Sequence, residues 1–170
     1  SEDQFVRYLT RVTDHLEDEY GIEVDSVEPL NEPYDCATCW FTNTSSGSPV
    51  ARQEGMTVGP VQQATLVKKL SASLALPSTT TDAVVSAPDE VNPTRFLLDW
   101  AGFDDEAKDA LGQINVHTYG SYGTDALKVR DIAKAADKPV MMSEVEGSYA
   151  NGYNPTAIGN GLFIAGIINK

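Results

Sequence analysis

The chain has little positive charge. Twelve Lys and Arg stand against 25 Asp and Glu, for a formal charge of −13. Binding to a phosphate backbone releases counterions only through cationic side chains, so this balance argues against nucleic acid or an anionic membrane as a partner. Long apolar runs are missing too. The longest, LFIAGII from Leu162, has seven residues and cannot span a bilayer. The start, SEDQFVRYL, lacks the basic-then-apolar layout of a signal peptide, which says little about compartment if the chain is a piece of something longer. Cysteine is confined to one pair, Cys36 and Cys39, and no low-complexity tract or linker interrupts the chain.

What is present suits one globular unit. The 170 residues have the length of an ordinary domain, and 41% apolar content is enough for a core. The acidic surface fits work on neutral or weakly charged substrates, or a salty or extracellular setting. It fits plain solubility equally well.

Periodicity divides the chain into alternating elements. QFVRYLTRVTDHLEDEYG puts Phe5, Leu9, Val12 and Leu16 on one helical stripe, with Gly21 as C-cap. IEVDSVEPL reads as a strand reaching Asn31-Glu32, followed by a polar Ser- and Gly-rich loop from about residue 34 to 53. A helix is expected over about 58–76 and a strand over 83–90. Helix in two pieces, broken near Gly102, is expected over 92–112. A strand over 113–120, a helix opened by Thr124, a strand over 139–147 and a last amphipathic helix complete the series. Strands alternating with helices imply βαβ units and a parallel sheet covered by helices. Four such strands suit a small doubly wound sheet, or a slice of an eight-stranded (β/α) barrel, which usually needs about 250 residues.

Ligands of parallel α/β folds gather at the carboxyl ends of the strands. Here each strand ends in polar groups: Asn31 and Glu32, Asp89 and Glu90, His117 and Tyr119, Glu144 and Glu146. Glycoside hydrolysis is the chemistry that needs two carboxylates across a small gap. One protonates the leaving oxygen; the other attacks the anomeric carbon or activates water. In a closed barrel Glu32 and Glu144, three βα units apart, would face each other across the mouth. The plainer alternative is that each Glu pairs with Arg or Lys at the rim.

The motifs VEPLNEP, Trp40, RQEG (52–55), His117-Thr118-Tyr119 and MMSEVEG, in that order, resemble glycoside hydrolase family 30. This family belongs to clan A of the retaining glycosidases, and the nearest likeness is to its endo-β-1,6-galactanase-like branch. The resemblance implies a partial (β/α)8 TIM barrel, from about helix 3 through strand 7 and helix 7, with residues 1–170 a segment of one catalytic domain. It implies Glu32 as general acid/base and Glu144 as nucleophile, with Asn31 hydrogen-bonding the sugar 2-hydroxyl. His117 and Tyr119 would shape the subsite and orient the nucleophile, and Trp40 would offer a stacking face. Glu146 and Tyr149 would also line the substrate site. The substrate would be a polysaccharide or oligosaccharide, the setting secreted, and neither cofactor nor metal is implied. Met56 stands where relatives tend to have Cys, and Glu146 competes with Glu144 for the nucleophile's place; Ser143-Glu144 fits the motif better.

Other signals weigh less. Cys36-Ala-Thr-Cys39 reads as a loop disulfide or two thiols, half a zinc site, or a redox pair. Asn43-Thr44-Ser45 is a glycosylation acceptor by pattern. Tyr34, Tyr122, Tyr149 and Tyr153 fall in strand-end loops, where one or two could stack on sugar. Trp100, near Phe96 and Leu97, reads as core. A non-catalytic carbohydrate-binding relic and a Cys-x-x-Cys redox or metal domain are the alternatives to an enzyme.

Overall fold

The computed structural model describes residues 1–33, 40–51, 56–120, 123–145, 154 and 156–168. Helix α1 (Glu2–Tyr20) opens with a capping box, in which Ser1 and Gln4 satisfy each other's backbone N–H groups, and closes on Gly21 at φ 64°. Its buried face is not the expected apolar stripe. Val6, Thr10 and Thr13 are buried, Phe5 and Leu9 flank them, and Val12 is exposed. The threonines are tolerated inside because their hydroxyls have partners. Thr13 Oγ1 donates to the Leu9 carbonyl; Thr10 Oγ1 lies 3.1 Å from the Val6 carbonyl and 2.8 Å from Ser73 Oγ on the facing helix.

Strand β1 (Ser26–Val27) is shorter than its apolar run, because Pro29 has no N–H to continue a ladder. The expected loop after it holds a hairpin, β2 (Trp40–Thr42) paired antiparallel with β3 (Pro49–Ala51). Asn43 Oδ1 closes the connection by accepting the N–H groups of Ser45 and Ser46, and Gly47 supplies φ 67°. Helix α2 (Pro60–Leu74) starts on a proline at its first turn. Strand β4 (Val84–Glu90) follows, then α3 (Pro93–Gly102), capped by the Asn92 side chain on Arg95 N–H, and α4 (Asp105–Ala110), capped by Asp104 on Ala107 N–H. Strand β5 (Gln113–Val116), helix α5 (Asp125–Ala136), strand β6 (Val140–Met141) and helix α6 (Ile158–Ile168) complete the order. Thr124 occupies the cap position of α5, but its side chain makes no capping bond.

The four strands β1-β4-β5-β6 form one parallel sheet in sequential order, with helical crossovers between neighbours. Two apolar clusters pack against it. One joins α1 and α2 to β1 and β4 through Leu66, Val67, Leu70, Val85 and Ala87. The other joins α3, β5 and α5 through Phe96, Ile114, Val116 and Val129. Trp100 bridges them, stacked between Phe96 and Phe103. Fully buried Leu70, Phe96 and Ile114 each contribute about 1.5–3 kcal/mol by leaving water. On helix α6, Ile158, Leu162 and Ile168 are exposed. No helix among the described residues is long and apolar enough to cross a membrane.

Candidate active site

Strand alternation decides what reaches the site. On β5, Ile114 and Val116 point into the helix-facing core, so Gln113, Asn115 and His117 share the opposite face. Backbone pairing with the end of β4 continues past Val116. His117 N–H donates to the Glu90 carbonyl at 2.8 Å and Tyr119 N–H to the Val91 carbonyl at 3.1 Å. The strand therefore carries His117 and Tyr119 to the carboxyl edge, where the sequence places them.

Glu32 sits in the turn after β1, between buried Leu30 and buried Pro33. The Pro33 carbonyl accepts from Val58 N–H at 2.6 Å, which ties the turn to the start of α2. Glu32 itself has φ 43°, a left-handed conformation uncommon outside glycine, and its N–H donates to the Asp89 carbonyl at 2.9 Å. Asp89 is also left-handed, at φ 58°. The register of β4 against β5 shifts between Pro88 and Glu90, so Asp89 is the extra residue of a bulge. Bulges re-aim side chains, and this one directs a buried carboxylate into the cluster.

His117 is fully buried at the centre. Its Nδ1 lies 2.8 Å from Glu32 Oε1. On the other side, Nε2 is 3.1 Å from Asp89 Oδ1 and 3.5 Å from Glu144 Oε1, contacts of charge rather than well-directed hydrogen bonds. Tyr119 OH donates to Glu144 Oε2 at 3.0 Å, and its ring stands edge-on to the imidazole. Ser143, next to Glu144, donates its hydroxyl to Asp89 Oδ1. One imidazole thus touches carboxylates from three strand ends.

Burial alone would pull the His117 pKa down, but Asp89 and Glu32 beside its nitrogens and the charge of Glu144 outweigh that and push it up to about 9. At neutral pH it is a cation holding acidic groups together. Below it, Glu28 is pushed up to about 8 by burial and by the Asp89 charge, against the hydrogen bond from Asn115. A ladder runs to it across the sheet: Gln113 Nε2 donates to Asn115 Oδ1 at 2.7 Å, and Asn115 Nδ2 to Glu28 Oε2 at 2.5 Å. Behind the sheet a second acidic pair is closed off. Asp99 is raised to about 8 by burial and by Glu90, both fully buried, while Gln63 donates to Asp99 Oδ1 at 3.1 Å.

Glu32, His117 and Glu144 each offer a metal-ligating atom, all within 4.8 Å of one another. A metal on His117 would have to displace the proton that the neighbouring carboxylates favour on the imidazole.

Of the residues singled out in the sequence, Glu32, His117, Tyr119 and Glu144 come together. Asn31 adjoins Glu32 in the same turn. His117 differs from expectation in its closest contact, which is to Glu32 rather than Glu144. Trp40 lies in the hairpin, paired with Ala51. Glu146 and Tyr149 lie outside the described residues, as do Tyr34, Cys36, Cys39, residues 52–55, Tyr122 and Tyr153. The sequence reading gave no role to Glu28, Asp89 or Ser143. Asp89 was visible as a polar strand end, but its bulge was not.

Neither a family model nor a solved structure matches the chain. Two curated proteins do. It is 29% identical over 193 aligned positions to an exo-β-1,6-galactobiohydrolase of Bifidobacterium longum subsp. longum, which covers 94% of this chain and 12% of that protein. It is 28% identical over 145 positions to an endo-β-1,6-galactanase of Hypocrea rufa, covering 85% of this chain and 28% of that protein. The chain therefore spans only a small part of either relative. Its likeness to two proteins with glycosidase names supports a glycoside hydrolase relationship.

Proposed function

We propose that this chain carries the catalytic carboxylates of a retaining glycoside hydrolase that acts on β-1,6-linked galactan, with Glu32 as acid/base and Glu144 as nucleophile. The observation that carries the reading is that carboxylate oxygens of Glu32 and Glu144 lie within 4.8 Å of each other, at carboxyl ends of one parallel sheet. Retaining pairs stand about 5–5.5 Å apart, whereas inverting pairs need about 6.5–9.5 Å to admit a water. The names of the two relatives supply the sugar and linkage. Four parallel strands in sequential order are compatible with a sector of a (β/α)8 barrel, as the family 30 reading requires.

In this reading Glu32 protonates the glycosidic oxygen while Glu144 attacks the anomeric carbon, and the aglycone leaves as an alcohol. Glu32, now a carboxylate, takes a proton from water, which displaces Glu144 and regenerates both groups. The His117 cation beside Glu32 stabilises the carboxylate that exists between the two steps. Tyr119 holds one oxygen of Glu144 and leaves the other to attack. Asn31 reaches the 2-hydroxyl, and Trp40, Glu146 and Tyr149 contribute sugar contacts. The acidic character of the chain suits a neutral polysaccharide substrate and a secreted protein.

The test is proton NMR of the first products released from β-1,6-galactan by the whole protein. The β anomer should appear first and mutarotate later. Initial α anomer would reject the retaining mechanism, and no release would reject the galactan substrate.

A further inference from the structure

The cluster contains a residue whose contacts reach further than its place in the chain suggests. Asp89 meets the acid/base turn through its backbone and the nucleophile's segment through its side chain. Its carbonyl accepts the Glu32 N–H at 2.9 Å, while its Oδ1 accepts the Ser143 hydroxyl and lies 3.1 Å from His117 Nε2. Both ends of this bridge are conformationally specified. Asp89 is the bulged, left-handed residue of β4, and Glu32 is left-handed as well. Two non-glycine residues in that region, joined by a hydrogen bond, form a costly arrangement that surrounding structure must hold.

We propose that Asp89 is a positioning residue that couples the Glu32 turn to the Glu144 segment, so that the two carboxylates keep their separation through the reaction. It rests on the galactan-hydrolase reading. The backbone carbonyl fixes where the Glu32 turn sits. The carboxylate then fixes Ser143, and with it the direction in which Glu144 leaves β6. Asp89 also faces His117 opposite Glu32, so the imidazolium is held from both sides. Among the described residues, the ionisable groups around that imidazole are Glu32 and Glu28 from the β1 segment, Asp89 from β4, Tyr119 from β5 and Glu144 from the β6 segment. Removing the Asp89 charge therefore weakens the hold on the His117 proton without touching the reacting carboxylates.

Two variants of the whole protein separate the contributions. Asp89→Asn keeps the size, tolerates a left-handed φ and can still accept from Ser143, but loses the charge. Ser143→Ala keeps the charge and cuts the tie to the Glu144 segment. The readout is the rate of covalent labelling by an activated 2-deoxy-2-fluoro glycoside of β-1,6-galactobiose. Its good leaving group needs no acid, so the rate reports nucleophile placement alone. Misplacement of a reacting group by a fraction of an ångström to an ångström slows attack by roughly 10- to 100-fold. That slowing is expected for Ser143→Ala, with KM for galactan within about twofold of the parent. For Asp89→Asn the alkaline limb of the kcat/KM profile should also move toward acid, a change that a purely structural bulge residue would not produce. Labelling rates and pH limbs matching the parent in both variants would overturn the proposal. If Asp89→Asn fails to fold, the Ser143→Ala labelling rate decides it. Labelling of the parent protein at Glu144 keeps the two levels apart: without it the galactan-hydrolase reading fails, and with it only the role of Asp89 is in question.

Discussion

His117 Nδ1 stands 2.8 Å from Glu32 Oε1, in a contact that is buried on the histidine side and only slightly exposed on the glutamate side. The same ring presents Nε2 to Asp89 and Glu144. A group that joins three acidic strand ends controls both the protonation and the geometry of the site.

Replacing His117 by Phe should therefore damage folding and activity together. Buried Asp89 and half-buried Glu32 lose their counter-charge, and breaking a buried charge pair from one side costs about 3–5 kcal/mol. Urea unfolding of the variant should show a loss of that order. Stability equal to the parent would mean that the cation is not what holds the cluster.

The pH dependence of stability has a definite sign. The His117 pKa is raised from 6.5 to about 9, so its stabilisation is complete below pH 6.5 and is lost as pH rises through 9. The size is roughly 3 kcal/mol. Glu28, raised from 4.5 to about 8, acts in the same direction, its neutral form being favoured in the native state between those values. Unfolding free energy should fall from pH 5 to pH 9. Glu28→Gln should flatten the fall between about pH 4.5 and 8 and leave the His117 part in place. Stability that rises across this range would contradict both assignments.

Asp99 and Glu90 supply an independent check away from the cluster. Their burial and mutual contact favour a shared proton, and the raised Asp99 pKa means that stability is lost as pH climbs toward 8. Asp99→Asn removes one of the two charges that would have to coexist at high pH. The variant should match the parent near pH 4 and exceed it by a margin that grows toward pH 9, as read from thermal melts at the two pH values. A variant less stable than the parent at pH 9 would sink the shared-proton account.

Close packing between β4 and the start of β5 gives a purely structural prediction. A Cβ on Gly112 would sit 2.3 Å from Val84 Cβ, on a strand held in register by its neighbours. Gly112→Ala should lower stability by about 1–3 kcal/mol, as overpacking does. An unchanged denaturation midpoint would show that β4 and β5 can separate freely.

Much of the architecture was legible because period 2 and period 3.6 alternate cleanly along the chain. The polar strand ends marked Glu32, His117, Tyr119 and Glu144 for the same reason: a carboxylate or imidazole after an apolar run has few structural uses. What escaped had physical causes. Val12 is apolar, yet α1 turns Thr10 and Thr13 inward because helix carbonyls satisfy their hydroxyls. The hairpin hides in a Ser-rich stretch because its strands are three residues each and its turn is polar. Asp89 gains its reach from a one-residue bulge, which is a property of strand pairing rather than of composition. Glu28 sits inside VEPL, where only the neighbouring strand reveals its partner Asn115.

The central claim is that Glu144 attacks the sugar while Glu32 serves as acid/base across the His117 bridge. Peptide mapping of the whole protein, trapped with an activated 2-deoxy-2-fluoro glycoside of β-1,6-galactobiose, tests it directly. The account predicts a single modified carboxylate, at Glu144. A label on Glu32 or on Glu146, with Glu144 untouched, would contradict it.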